Sequence, residues 1–140
     1  MSALIKVVDS PGLSEILREA HVELTPRESR IIDDCHKKSF TTWVGYNGAE
    51  LVCAWGIIPP SVLSDEVYLW LYATGAIKTN QFLFIRQSQI IIQRLLMEYR
   101  AVVGHVKADA ASSKRWLKWL GAEFGPAKAG FLPFRIERHG

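Results

Sequence analysis

A mixed α/β (α+β) fold, with a central sheet of about six to seven strands flanked by about four helices, is what this 140-residue sequence predicts. Three observations lead there. Short apolar or alternating runs recur on both sides of a long amphipathic stretch, sharp helix start and stop signals divide the remainder, and the length suits one hydrophobic core. With 49% hydrophobic and 22% charged residues, the composition is that of a globular chain. No low-complexity linker or repeat interrupts it, so residues 1–140 read as a single domain.

The elements follow in order. Leu4 to Val8 reads as a short strand, and Ser10 before Pro11 as a helix start. Leu13, Ile16, Leu17 and Ala20 then recur at three and four, which sets them on one buried helical face. Thr25, Pro26 and Glu28 combine an N-cap, a first-turn proline and a glutamate three residues on, the pattern of a capping box. The helix they open carries Ile31, Ile32 and Cys35 inward and fades near Lys38.

From Thr42 to Ile58 the pattern is a hairpin turning at Asn47-Gly48, ended by Pro59-Pro60, which cannot donate to a ladder. Val67 to Thr74 is a strongly apolar central strand, and Gly75 to Asn80 a polar turn into the longest helix, reaching about Arg100. Ile85, Ser88, Ile92, Leu95 and Tyr99 share its inner face, with Arg86, Gln89, Gln93 and Arg100 opposite. Val102 to Ala108 reads as a buried strand. Ser112 or Ser113 caps a helix holding Trp116, Leu117 and Leu120, and Gly121 stops it. Phe124 and Phe131 to Arg138 are the last strands. The order is β, α, α, β, β, β, α, β, α, β, β.

Composition also excludes function classes. The longest apolar runs are far below the ~18 residues a spanning helix needs, and no charged-then-apolar leader opens the chain, which reads as cytosolic. Cys35 and Cys53 have no metal spacing, and His21, His36, His105 and His139 are scattered, so no metal site is expected. The net charge is +3, and basic residues gather in the C-terminal third. No aromatic and basic stripe accompanies them, so nucleic acid is an unlikely partner class by this reading.

The element order resembles the GNAT acyltransferase superfamily, and Val102 to Phe124, with its Leu120-Gly121 step, resembles that superfamily's fifth-strand, fourth-helix segment. Leu96-Met97-Glu98-Tyr99-Arg100 and Ser113-Lys114-Arg115-Trp116-Leu117-Lys118, ahead of Leu120-Gly121-Ala122, resemble the internal virion protein A family of short-tailed phages. That second resemblance implies a virion morphogenesis protein on a GNAT-like scaffold. It would sit in the virion and host cytoplasm and act by contact with other virion or assembly proteins, or with a host protein, without a cofactor and without acyl transfer.

The GNAT resemblance alone implies the alternative, an N-acyltransferase dependent on acetyl-CoA. A working enzyme of that superfamily carries glycines ahead of the long helix, so that backbone N–H groups approach the diphosphate. Here the segment is Ala76-Ile77-Lys78-Thr79-Asn80-Gln81, without glycine. The places of the superfamily's Asn and its thiolate-protonating Tyr hold Ala110 and Leu117. If the cofactor binds, the resemblance points to backbone at Tyr72 to Thr74 for the pantetheine, with Lys78, Thr79, Asn80 and Asp109 as polar contacts. Glu66, or its neighbour Asp65, is the candidate general base, with burial raising its pKa.

Overall fold

The computed structural model describes residues 3–8 and 12–138, with side chains described throughout except at positions 3, 4 and 81–83. Seven strands form one sheet in the order β1-β2-β3-β4-β5-β7-β6. They are β1 (Ala3–Val7), β2 (Thr41–Asn47), β3 (Glu50–Ile58), β4 (Glu66–Ala73), β5 (Ala101–Lys107), β6 (Glu123–Phe124) and β7 (Phe131–Glu137). Every neighbouring pair is antiparallel except β4 and β5, which run parallel. A parallel step needs a crossover, and the long helix supplies it. The predicted mixed sheet with four flanking helices is therefore the observed architecture.

The hairpin turns one residue later than its Asn-Gly pair suggests. Asn47 pairs with Glu50 as the last strand residue, so the two turn positions are Gly48 and Ala49. Gly48 takes φ 61, the positive value that the first position of a II′-type hairpin loop demands.

The four helices are α1 (Leu13–Glu19), α2 (Pro26–Lys38), α3 (Ile77–Glu98) and α4 (Ala111–Trp119). The start signal at Ser10 and Pro11 lies outside the described residues. Helix α2 opens on the complete capping box, Thr25 Oγ1 accepting from the Glu28 N–H at 3.1 Å and Glu28 Oε1 from the Thr25 N–H at 3.0 Å. Within α2, Ile32 is buried and Cys35 half-buried, but Ile31 points outward and is exposed. Helix α4 begins at Ala111 with no side-chain cap, in place of the expected serine, and ends before Gly121 at φ 95.

The sheet separates two cores. On one face α3 and α4 cover Val52, Ile57, Leu69, Val102, Phe134 and Ile136. On the other, α1 and α2 cover Val44, Leu51, Ala54 and Trp70 through Leu13, Leu17 and Ile32. Asp33 fixes α2 to α1 by accepting from the Ser14 N–H at 2.8 Å and its hydroxyl at 2.6 Å. Trp70 Nε1 donates to Ser39 Oγ at 2.7 Å, which ties the end of α2 to β4. Those two helices cover β2 to β4 and leave the corresponding face of β5 and β7 open, where His105 and Lys107 are exposed.

Candidate functional site

Strands β4 and β5 pair over three residues only, Glu66 to Tyr68 against Ala101 to Val103. Beyond them β4 keeps its ladder with β3 as far as Ala73, and β5 keeps its ladder with β7 as far as Lys107. The two strands therefore part like a V while each holds its outer neighbour, and among the described residues no strand fills the gap. Its apex is tight. A Cβ on Gly104 would stand 2.3 Å from the Leu69 carbonyl oxygen, so glycine is what lets the strands approach there before they diverge.

Beneath the parted strands, on the α3 and α4 face, Trp116 is buried and meets Trp55 edge-on, ring centroids 6.0 Å apart at 75°. Trp55 in turn stacks on Trp43. Trp116 lines a cavity of about 20 Å³ with Leu69 and Leu71 of β4 and Ser88 of α3. That is room for a water-sized group. Trp116 Nε1 and Ser88 Oγ are both buried, and neither has a hydrogen-bond partner among the described residues.

At the open end of β4 the chain turns sooner than predicted. Helix α3 starts at Ile77, so Lys78, Thr79 and Asn80 belong to its first turn and the connection is only Thr74-Gly75-Ala76. Thr74 Oγ1 donates back to the Leu51 and Val52 carbonyls at 2.9 and 3.0 Å, and accepts from the Ala76 N–H at 3.3 Å. The Ile77, Lys78 and Thr79 N–H groups close short turns on the Thr74, Gly75 and Ala76 carbonyls. Asn80 is buried, taking a bond from Asn47 Nδ2 at 2.7 Å and giving one to the Ala76 carbonyl at 2.7 Å. These bonds join α3 to the hairpin. Lys78 and Thr79 are exposed at the helix start, beside Gly75, whose missing side chain leaves open space. Asp109 is exposed in the turn after β5, Ala110 lies at the start of α4, and Leu117 is buried.

The opposite face of the V, on the α1 and α2 side, carries the more reactive chemistry. Tyr68, Trp70 and Tyr72 alternate along β4 toward that face. Tyr68 Oη lies 3.1 Å from His105 Nδ1 on β5, their rings 5.9 Å apart, at the last paired step of the two strands. Both line an open cavity of about 750 Å³ walled by the β6–β7 connection, including Lys128, and by Phe131 and Pro133. Burial pushes the Tyr68 phenol up from its ordinary value. Burial likewise raises Tyr72, and the Glu28 charge adds to that shift.

Glu66 lies at the closed end. Its carboxylate is paired with Arg135 and, at 3.3 Å, with Arg100, which also reaches Asp65 at 3.5 Å. The hydrogen bond from Arg135, together with the charges of Arg135 and Arg100, outweighs the opposing effect of burial and holds its carboxyl below the ordinary value. This corrects the expectation of a carboxylate raised toward neutrality: two guanidiniums stabilise the ionised form. The Tyr68 and His105 pair was missed, although an i, i+2, i+4 aromatic run on a strand and a histidine inside an apolar strand were both legible signs of it.

Among the described residues, no three His, Cys, Asp or Glu side chains gather in a way that could hold a metal ion. Nor is any helix long and apolar enough to cross a membrane.

No protein-family model matches this sequence, and no curated protein matches it. Solved structures do. A Bacillus subtilis acetyltransferase in complex with CoA is similar over 99% of this chain and 100% of its own, with a TM-score of 0.69 at 8% identity. A protein from Desulfovibrio desulfuricans assigned to the GNAT family of acetyltransferases is similar over 97% and 99%, with a TM-score of 0.69 at 12% identity. The ribosomal-protein-S18-alanine N-acetyltransferase of Escherichia coli is similar over 97% and 94%, with a TM-score of 0.66 at 13% identity. At such identities the likeness speaks for architecture and not for substrate. It carries the GNAT half of the resemblance read from the sequence, and nothing in it supports the internal virion half. The chain has the fold of the GNAT acetyltransferases.

Proposed function

We propose that the protein works as one domain that transfers an acyl group from a CoA thioester to an amine. The observation that carries this reading is the parting of β4 and β5 after three paired residues, each strand still held by its outer neighbour. Such a gap offers main-chain N–H and C=O groups to an extended, amide-bearing arm as a missing strand would. Two further observations fit a CoA thioester. Trp116 Nε1 and Ser88 Oγ are buried polar atoms lacking partners beneath the gap, and Lys78 and Thr79 are exposed where β4 gives way to α3.

In this reading the thioester supplies the activated acyl carbon. Backbone at Leu69 to Ala73 and Gly104 to Lys107 lines the arm, and Lys78 offers a cation to its phosphates. Catalysis rests on positioning the amine against that carbon. Glu66 is a brace between β4 and β7, so its replacement by Gln is expected to leave turnover in place. Asp109 stays outside the contact set, because a carboxylate repels a polyanion.

A second reading has a specific observation behind it. The first amides of α3 are spent on short turns, and Trp116 is buried beneath β4, as suits a GNAT-type scaffold that works through protein contacts. Thiol release from acetyl-CoA in the presence of a panel of primary amines separates the two. Amine-dependent release supports transfer. No release and no acetyl-CoA binding at millimolar concentration would leave the scaffold.

A further inference from the structure

The open face of the V holds a pair of side chains to which the transfer reading above gives no role. Tyr68 Oη and His105 Nδ1 are 3.1 Å apart, one on each of the diverging strands, and both line the cavity of about 750 Å³. The pairing engages Nδ1 and leaves Nε2 as the ring nitrogen available to a ligand. The cavity's charged lining is Lys128, with no carboxylate among its lining residues. Lys107 lies next on the same face of β5, opposite Phe131. Glu66 is engaged with Arg135 and Arg100, and Glu28 in its capping box.

We propose that this is the acceptor site, that it takes a primary amine also bearing a carboxylate, and that His105 Nε2 removes the proton from the attacking nitrogen. The inference rests on the acyl-transfer reading above. The amine nitrogen bonds to the acyl carbon as the C–S bond breaks. The sulfur leaves with the electron pair and takes a proton from solvent, while the proton shed by nitrogen goes to Nε2. Tyr68 is a positioning residue: half-buried on β4, it fixes the imidazole across the apex. Lys128 and Lys107 attract the carboxylate and disfavour a polycation. The groups on the same face as His105 are Tyr68 from β4, Lys107 on its own strand, Lys128 from the β6–β7 connection, and Arg135 two positions on along β7 from its partner Pro133.

The test uses two probes, aspartylglycine and spermidine. First, without any donor, ring-labelled histidine resonances are followed by NMR, with His105 assigned by His105→Gln. Aspartylglycine is expected to shift the His105 signal at a concentration where spermidine does not, and Lys128→Glu is expected to weaken that shift about tenfold. No shift with aspartylglycine, or a preference for spermidine, would overturn the site. Second, with acetyl-CoA, His105→Gln is expected to lower kcat by about 100-fold and remove the acidic limb of the pH profile, with the KM for acetyl-CoA unchanged. Tyr68→Phe should lower kcat by a smaller factor, again with the KM for acetyl-CoA unchanged. Turnover by His105→Gln equal to the parent sinks the proton-transfer role. If aspartylglycine shifts His105 yet no acetyl-CoA binds, the binding half stands, and the proton-transfer half falls with the acyl-transfer reading.

Discussion

The Leu69 carbonyl oxygen and the α-carbon of Gly104 meet so closely that a Cβ on Gly104 would stand 2.3 Å from that oxygen and 2.5 Å from the Phe134 ring. This contact closes the apex from which β4 and β5 diverge. Gly104→Ala would force backbone on one side and a buried ring on the other, and neither yields cheaply. The expected loss is about 2 kcal/mol or more by urea unfolding. A variant as stable as the parent would mean the apex is looser than described.

Trp116 and Ser88 line one cavity but differ in what they hold. Trp116→Ala removes a large buried ring packed on Trp55 and is expected to cost about 3–5 kcal/mol. Ser88→Ala deletes a buried hydroxyl that has no partner among the described residues, so its unfolding midpoint should stay near or above the parent's. A large loss with Ser88→Ala would reveal a hydrogen bond to an ordered water in the cavity.

Acid should destabilise the fold in a definite direction. Glu28 and Glu66 are lowered from 4.5 and Asp33 from 3.8. For Glu28 the cause is the Thr25 N–H, and for Glu66 it is Arg135; for Asp33 the bonds from Ser14 outweigh burial. Carboxyls depressed in the folded state stabilise fully above their unfolded values and lose that contribution as pH falls through the folded ones. The melting temperature should hold level down to about pH 5 and then fall, with Glu66→Gln shallower below that point. A melting temperature that rises on acidification would contradict the assignment.

Both thiols should be slow. Burial pushes Cys53 far up, and burial with the Asp34 charge raises Cys35. Neither supplies thiolate near neutrality. Reaction with a disulfide reagent at pH 7 should be slow in the native protein and fast after unfolding; a thiol that reacts at once in the native state would refute this.

Local chemistry was legible and long-range pairing was not. The capping box of α2, the existence of the hairpin and the Gly121 stop follow from residues within a few positions of each other, and the structure has all three, with the hairpin turn one residue later than its Asn-Gly pair suggests. The start of α3 was misplaced because Lys78, Thr79 and Asn80 look like a polar turn. Asn80 is buried and bonded to Asn47, 33 positions away, and Thr74 turns back onto β3 carbonyls. Ile31 looked inward because it neighbours Ile32, yet the face of α2 that meets the sheet is too narrow to hold both. Glu66 looked like a base because Arg135 and Arg100 lie far along the chain, and the Tyr68 and His105 contact joins residues 37 positions apart.

The central claim is that the gap between β4 and β5 receives the arm of a CoA thioester. Titrating acetyl-CoA into ¹⁵N-labelled protein tests it most directly. The account predicts saturable shifts concentrated at the amides of residues 69–73 and 104–107, with little change in β1 and β2. Shifts absent from those two stretches at millimolar acetyl-CoA would contradict it.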